Sequence, residues 1–206
     1  MRLKVFYVDG SGGDSGAGAT IETNTILSHN HHLSSNQTTA DIQSIVIEDA
    51  SGKLLHVAEA GDFLMAGDVE LGGGLSLFVF KADPFKHLAL LGDVDGLEPG
   101  MLAEQAIFVG AKTRGIPVGL YPATIGYTNG FVRNQRKTDY KSFKVSYDLT
   151  TSQTPIGNDS GAPLYINNRV YGVNNSGNGN YGAITDISLI RHLIADMTQK
   201  LPETDL

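Results

Sequence analysis

Residues 157 to 174, which read GNDSGAPLYINNRVYGVN, join a glycine-rich turn to an apolar hairpin. Gly157 and Gly161 flank Ser160, so a tight turn can present the hydroxyl to solvent and leave consecutive backbone N–H groups facing an anion. Two short β-type runs follow at 163–166 and 169–173, and the two asparagines between them tolerate a positive φ. The pattern predicts a strand, a two-residue turn and a second strand directly after a candidate nucleophile.

A second copy of the tripeptide Asp-Ser-Gly, at residues 14–16, shows that this short motif alone is weak support for a nucleophile. Gly13-Asp14-Ser15-Gly16 lies in a run rich in Gly, Ser and Asp, and no hairpin pattern follows it. We interpret this copy as a flexible loop; a calcium-repeat-like turn is the alternative, which the lack of repetition disfavours. Composition alone is equally consistent with a plain turn around Ser160. The case for a nucleophile therefore depends on the surrounding pattern.

The composition is that of a soluble, turn-rich β protein. The 206 residues are 41% hydrophobic and 18% charged with 25 glycines, which is enough chain for a sizeable buried core. No apolar run approaches the ~18 residues of a membrane span, and the first eight residues, MRLKVFYV, lack a secretory signal's apolar core and cleavage site. The net charge of −7 disfavours phosphate-backbone binding, and we interpret the basic segment 133–137 as a solvated hairpin tip. We expect no nucleic-acid partner and no membrane association.

The chain contains no Cys. This excludes a disulfide framework, a thiol nucleophile and a thiolate zinc site, and we expect no cofactor. Absence of Cys favours a reducing compartment, so the expected location is the cytoplasm, although the mature form of a secreted protein could have the same composition.

Short β-type runs with turn signals between them recur in two sets of six. They lie at 3–8, 17–22, 25–28, 42–48, 53–58 and 75–80, and then at 103–111, 123–132, 140–147, 163–166, 169–173 and 181–184. A turn-dense stretch, 91–100, separates the sets, and apolar residues recur at helical spacing only over 186–200. The sequence predicts an all-β fold of two six-stranded antiparallel β-barrels, an N-terminal domain over 1–90 and a C-terminal domain over 91–206 that ends in a helix.

These features together resemble the chymotrypsin-like serine proteases. The stretch 91–100 is similar to their inter-barrel connection, and 171–177 and 182–185 are similar to the two segments that wall their primary specificity pocket. Without Cys, the chain most resembles the compact bacterial glutamyl-endopeptidase types and the main proteases of positive-strand RNA viruses. The resemblance implies a serine endopeptidase that cleaves a polypeptide substrate through an acyl-enzyme, and the viral likeness suggests polyprotein processing.

The resemblance assigns the general base to His31. A Ser hydroxyl near its free pKa needs a base within hydrogen-bond reach, and the segment 25–32, TILSHNHH, runs from an apolar strand to a His six residues after Thr25. His29 and His32 are neighbours rather than matches. The alternative is that the three imidazoles share a metal ion, but no carboxylate or Cys stands nearby in the sequence.

The sequence departs from the family at the position of the acid, which is the third member of the catalytic triad. The family's Asp stands immediately before an apolar strand, and here Gly74 precedes the run 75–80. We expect Asp68 to take the role, because the glycines at 72–74 give the backbone freedom to turn inward. Glu70 and Asp62 are alternative carboxylates, and a Ser-His dyad is another solution.

The resemblance also assigns the remaining site residues. The backbone N–H groups of Asn158 and Ser160 would form the oxyanion hole, and Thr154, Asn174 and Gly177 would line the substrate pocket. No Asp or Glu is placed there to attract Lys or Arg, so a small or polar neutral side chain is expected. The missing acid supports an alternative, an impaired protease-fold protein that binds peptides or partners; an unrelated two-barrel structural protein is a third reading.

Overall fold

The computed structural model describes residues 1–29, 32, 38–67, 74–126, 128, 130–133, 139–147, 155–156, 159–176, 180–183 and 187–201. The first seven strands along the chain form one sheet, and the later strands form a second sheet. The first contains β1 (Arg2–Tyr7), β2 (Gly12–Glu22), β3 (Thr25–His29), β4 (Ile42–Glu48), β5 (Leu54–Glu59), β6 (Phe63–Ala66) and β7 (Leu75–Phe80). Its strand order is β5-β4-β1-β2-β3-β7-β6, with antiparallel pairing throughout.

The second sheet closes on itself. It contains β8 (Leu90–Leu91), β9 (Leu102–Ile107), β10 (Gly119–Ile125), β11 (Gly130–Arg133), β12 (Asp139–Tyr147), β13 (Pro163–Ile166), β14 (Arg169–Ser176) and β15 (Asn180–Ala183). The order β10-β9-β13-β14-β15-β12 is completed by a pairing of β10 with β12, which makes a ring of six antiparallel strands. β11 extends β12 at the edge, and β8 pairs with β14 in parallel.

Two α-helices accompany the sheets in the part of the chain that the structure describes. The short α1 (Val109–Arg114) ends at Gly115, whose φ of 69° is the left-handed conformation that glycine accepts without steric cost. The longer α2 (Ile187–Lys200) lies within one residue of the predicted helix and buries Ile190 and Met197. Neither helix in the described part of the chain has the length and apolar character needed to cross a bilayer.

The strands β3 and β7 are buried along their whole length because each of their faces packs on a different core. Ile26, Phe78 and Phe80 point into the interior of the first sheet. Their neighbours Leu27 and Leu77 point the other way, into a core shared with β14 and α2. The period-2 alternation of side chains thus places β3 and β7 at the junction between the sheets.

The all-β, two-sheet architecture with a C-terminal helix is confirmed, with differences in strand count. Among the described residues the second sheet has eight strands instead of six, because β8 is added and the run predicted over 123–132 is divided into β10 and β11. The first sheet has seven strands instead of six, because the segment 63–66 adds β6 to the edge of β7. The run predicted as one strand over 103–111 ends at Ile107, and α1 follows. The boundary between the proposed domains stays a prediction.

The interpretation of the early tetrapeptide as a flexible loop is wrong. Residues 13–16 lie inside β2 and pair with β1, with Leu3 opposite Gly16 and Val5 opposite Gly13. Glycine is needed here because the backbones approach closely: a Cβ at Gly12 would lie 2.3 Å from the carbonyl oxygen of Val5. A neighbouring strand, which local composition does not reveal, converts a turn-forming sequence into a strand.

Candidate active site

The turn that carries Ser160 is bound to both sheets through its backbone. The carbonyl of Ser160 accepts a hydrogen bond from Ala17 N–H of β2 (2.7 Å), and Gly161 N–H donates to the carbonyl of Asn174 in β14 (2.7 Å). Ser160 is half-buried, directly before the predicted hairpin of β13 and β14. The candidate nucleophile therefore lies at the junction between the sheets, in a turn fixed on two sides.

Close packing behind this turn leaves no room for a side chain at position 161. Gly161 has a φ of 83°, and a Cβ there would lie 2.0 Å from the carbonyl oxygen of Ala17 and 2.5 Å from Ser28 Oγ. Glycine is the residue that satisfies both the conformation and the contact. The sequence requirement for glycine after the Ser thus has a steric cause in this chain.

Asp159 fixes the other side of the turn. Its carboxylate is fully buried; Oδ1 accepts a hydrogen bond from Phe108 N–H (2.9 Å), and Oδ2 accepts from Gly110 N–H (2.9 Å) and Ile156 N–H (3.0 Å). A Cβ at Gly110 would lie 2.6 Å from Oδ2, so this approach needs glycine. Charge-assisted bonds to backbone amides compensate for the burial of the carboxylate.

The Asp159 carboxylate acts on two buried phenols of the second sheet. Tyr147 and Tyr181 lie in the interior of the second sheet with their hydroxyl oxygens 2.6 Å apart. Burial raises the pKa of both phenols above the ordinary value, and the nearby Asp159 carboxylate acts in the same direction. Both side chains therefore stay neutral hydrogen-bonding groups in the physiological pH range.

Asp159→Ala is expected to destabilise the protein by roughly 3 kcal/mol or more, because the change leaves buried N–H groups without an acceptor. The turn that holds Ser160 would relax as well, so kcat should fall along with stability. Urea unfolding and ester hydrolysis measure the two effects.

The matched control is Asp49→Ala, since Asp49 Oδ1 also accepts backbone N–H bonds, from Ser51 (2.8 Å) and Lys53 (3.0 Å), but in an exposed turn. It should cost about 1 kcal/mol or less and leave kcat unchanged. Equal losses in the two variants would contradict the positioning role of Asp159.

The two described histidines of the segment 25–32 pack behind the nucleophile turn. His29 and His32 are 1% and 0% exposed, and their ring centroids lie 4.2 Å apart. Ser28 Oγ donates to the carbonyl of Ala17 (2.6 Å) and lies 2.9 Å from His32 Nε2, so this nitrogen carries the hydrogen. A Cβ at Gly16 would lie 2.5 Å from His29 Nε2 and 2.6 Å from the Ser160 carbonyl oxygen. These imidazoles are packed in the interior behind Ser160.

Several residues assigned from the sequence lie outside the described part of the chain, namely His31, Asp68, Glu70, Thr154, Asn158 and Gly177. Their neighbours are described. β3 ends at His29, which is paired with Leu75 at the start of β7, and β2 beside it is bound to Ser160. The structure thus brings together the strand that leads to His31, the strand that follows the acid position, and the nucleophile turn. The metal alternative for the three histidines includes His31; within the described residues, no three His, Asp or Glu side chains cluster closely enough to hold an ion.

The carboxylate alternatives differ in where they lie. Gly74, the position that corresponds to the family's Asp, is in a turn with a φ of 70°. Asp62 precedes β6, whose Phe63 pairs with Phe80, and its Oδ1 lies 3.3 Å from Lys81 Nζ. Asp62 is therefore at the opposite end of β7 from Gly74, and it does not reach the junction beside His29.

Two consecutive asparagines of β14 face opposite sides of the site. Asn174, the proposed pocket residue, donates from Nδ2 to the Asp159 carbonyl (3.3 Å), whereas Asn175 donates from Nδ2 to the Gly74 carbonyl (3.2 Å). The Oδ1 atoms of both are buried and have no hydrogen-bond partner among the described residues. An unpaired buried acceptor costs about 1–3 kcal/mol, so each oxygen favours a donor. Asn175 is not among the residues assigned from the sequence, where its place beside Asn174 is the only signal for it.

Solved structures show the same fold. Kallikrein-related peptidase 10 is similar with a TM-score of 0.64 at 16% identity, covering 95% of this chain and 95% of that one. A mutant of human heparin binding protein gives 0.61 at 13% identity, covering 99% and 94%. The HtrA-type protease AlgW with a decapeptide gives 0.55 at 16% identity, covering 92% of this chain and 53% of that one.

The chain therefore has the chymotrypsin-like fold, as the resemblance of its sequence implies. No protein-family model matches the sequence, and no curated protein matches it. At 13–16% identity the structural likeness carries the fold alone.

Proposed function

We propose that this chain is a serine endopeptidase with Ser160 as the nucleophile and His31 as the general base. The observation that carries the proposal is the nucleophile turn, in which Ser160 is bound to β2 and Gly161 to β14 at 2.7 Å each. A fixed turn places a hydroxyl for attack without the entropic cost of ordering a loop at each turnover. The HtrA-type protease and the kallikrein-related peptidase with this fold are consistent with that activity.

The proposed chemistry is acyl transfer in two steps. His31 takes the proton from Ser160 Oγ as the oxygen attacks the scissile carbonyl carbon, and the backbone N–H groups of Asn158 and Ser160 stabilise the resulting oxyanion. The imidazolium then gives its proton to the leaving amine, which releases the first product and leaves an acyl-enzyme. Water activated by His31 hydrolyses the ester and restores the free Ser.

The proposed substrate is a polypeptide with a small or polar neutral side chain before the scissile bond. This follows from the pocket residues Thr154, Asn174 and Gly177, none of which carries a charge. The sequence resembles two subtypes of this fold. The likeness to the main proteases of positive-strand RNA viruses suggests polyprotein processing as the function, and the likeness to the bacterial glutamyl endopeptidases suggests that subtype instead. Asp68 stays the carboxylate proposed from the sequence, and the cytoplasm stays the proposed location.

The experiment is a pre-steady-state measurement with a chromogenic peptide ester. A burst of leaving group equal to the enzyme concentration, followed by slower turnover, is expected because an activated ester acylates the enzyme faster than water deacylates it. Absence of a burst and of turnover across a panel of esters, with the protein folded, would contradict the proposal. Peptide binding under those conditions would instead support the alternative, an impaired protease-fold binding module, which the Gly at position 74 favours.

A further inference from the structure

The corner between the start of β7 and the end of β14 contains a polar side chain with a fixed orientation. Asn175 is 2% exposed, and its Nδ2 donates to the carbonyl of Gly74 (3.2 Å), which is 101 positions away in the sequence. A carbonyl oxygen only accepts hydrogen bonds, so it selects the amide rotamer that turns nitrogen toward Gly74. Oδ1 is consequently directed away from Gly74.

This oxygen needs a donor. Asn175 Oδ1 is buried and has no hydrogen-bond partner among the described residues. Burial without a partner is unfavourable for an amide oxygen, and an N–H group in this corner would relieve it. The two amides are bound at different places: Asn174 Nδ2 donates to the Asp159 carbonyl in the nucleophile turn, whereas Asn175 Nδ2 donates to the Gly74 carbonyl at the start of β7.

We propose that Asn175 is the positioning residue for the imidazole of His31, with Oδ1 accepting the hydrogen bond from Nδ1–H. The inference rests on the proposed function. His29, the last residue of β3, is paired with Leu75, the neighbour of Gly74. The proposed base is two positions after His29 in the sequence, and two residues span at most about 7 Å of chain.

The same geometry disfavours a carboxylate in the corner. A carboxylate from Asp68 would bring one acceptor against another, because Asn175 presents oxygen, and the electrostatic contact would be repulsive. An Asp at position 74 would have to adopt the left-handed φ of 70° that Gly74 has. The amide oxygen of Asn175 is an uncharged acceptor. It brings no carboxylate against another acceptor, and it requires no side chain at position 74.

The uncharged amide of Asn175 can orient the imidazole only if its oxygen, rather than its nitrogen, faces Nδ1–H. In the trypsin template, Asp→Asn costs about 10⁴ in kcat because the imidazole is held in the wrong tautomer. Here the Gly74 carbonyl already binds Nδ2, so Asn175 offers oxygen and selects the tautomer with hydrogen on Nδ1 and a free Nε2. Oδ1 carries no full charge, so it stabilises the imidazolium less than a carboxylate would.

The test compares Asn175→Ala, Asn175→Asp and Asp68→Asn, with kcat, KM and pH profiles measured on a peptide ester. Asn175→Ala should lower kcat by about 10–100-fold with KM changed less than about twofold, because the imidazole loses its orienting partner. In Asn175→Asp the new carboxylate raises the pKa of the imidazole. The base must be neutral to act, so the acidic limb of kcat/KM should move to higher pH by about one unit. The second carboxylate oxygen would face the Gly74 carbonyl in place of Nδ2, so this variant should also lose stability.

The control is Asn167→Gly, at an exposed position in the turn between β13 and β14, where a φ of 50° suits glycine. It should leave kcat and the pH profile unchanged. A readout independent of turnover uses the Ser160→Ala background, in which a low-field imidazole N–H proton signal should be present and should disappear on adding Asn175→Ala.

The outcomes separate the inference from the proposed function. If Asn175→Ala leaves kcat, the pH profile and the proton signal unchanged while Asp68→Asn costs 100-fold or more, the role of Asn175 is overturned and the endopeptidase stands with Asp68 as its acid. If the unaltered protein shows no acylation, the proposed function and the inference fall together. The expected changes in kcat, pH profile and proton signal, with Asp68→Asn near neutral, support the inference.

Discussion

Ser160→Ala is expected to lower kcat for a peptide ester by about 10⁵–10⁶-fold, the size of effect seen when a serine protease loses its nucleophile. Without the hydroxyl no acyl-enzyme forms, so the burst of leaving group should vanish as well. The fold should be unaffected, because the bond from Ala17 to position 160 uses the backbone carbonyl. Stopped-flow ester hydrolysis and a thermal melt measure both quantities.

The matched control is Ser15→Ala, in the second copy of the tripeptide Asp-Ser-Gly. Ser15 lies in β2, between residues that pair with β1. This variant should retain the burst and kcat in full. A burst that survives Ser160→Ala, or one that Ser15→Ala removes, would overturn the assignment of the nucleophile.

His31→Ala is expected to lower the acylation rate of Ser160 by about 10⁵–10⁶-fold, because the hydroxyl then has no base to take its proton. The remaining rate should lose the pH dependence that an imidazole imposes near neutral pH. The rate of ester acylation, followed from pH 5 to 9, measures both effects.

His29→Ala and His32→Ala are the controls, and the structure changes what is expected of them. The sequence alone predicts mild effects, but both imidazoles are buried, so each truncation leaves a cavity and should cost roughly 2–4 kcal/mol of stability. Below the unfolding transition the folded protein should still acylate. Equal losses of acylation in all three variants, restored by added zinc, would instead support the metal alternative.

Elements with local signals could be predicted from the sequence. The hairpin after Ser160 has its strands at Pro163–Ile166 and Arg169–Ser176, and its turn residues Asn167 and Asn168 have φ values of 50° and 61°. The helix Ile187–Lys200 is found where apolar residues recur at helical spacing. In each case the determining residues are close together in the chain, so that pattern and turn chemistry suffice.

Elements that depend on distant partners could not be predicted. The early copy of Asp-Ser-Gly, at residues 14–16, lies in a strand because β1 lies beside it. The buried carboxylate of Asp159 binds amides at positions 108 and 110, about 50 residues earlier in the chain. Asn175 meets Gly74 across the two sheets. No local signal records such pairings, and the candidate site is built largely from them.

Covalent labelling with a fluorophosphonate, which reacts with an activated serine hydroxyl, tests directly whether Ser160 is the nucleophile. Mass spectrometry of the digested protein identifies the modified residue. The account predicts one label for each chain, on the peptide that contains Ser160, and none after Ser160→Ala. Modification at Ser15, or no modification of the folded protein, would contradict it.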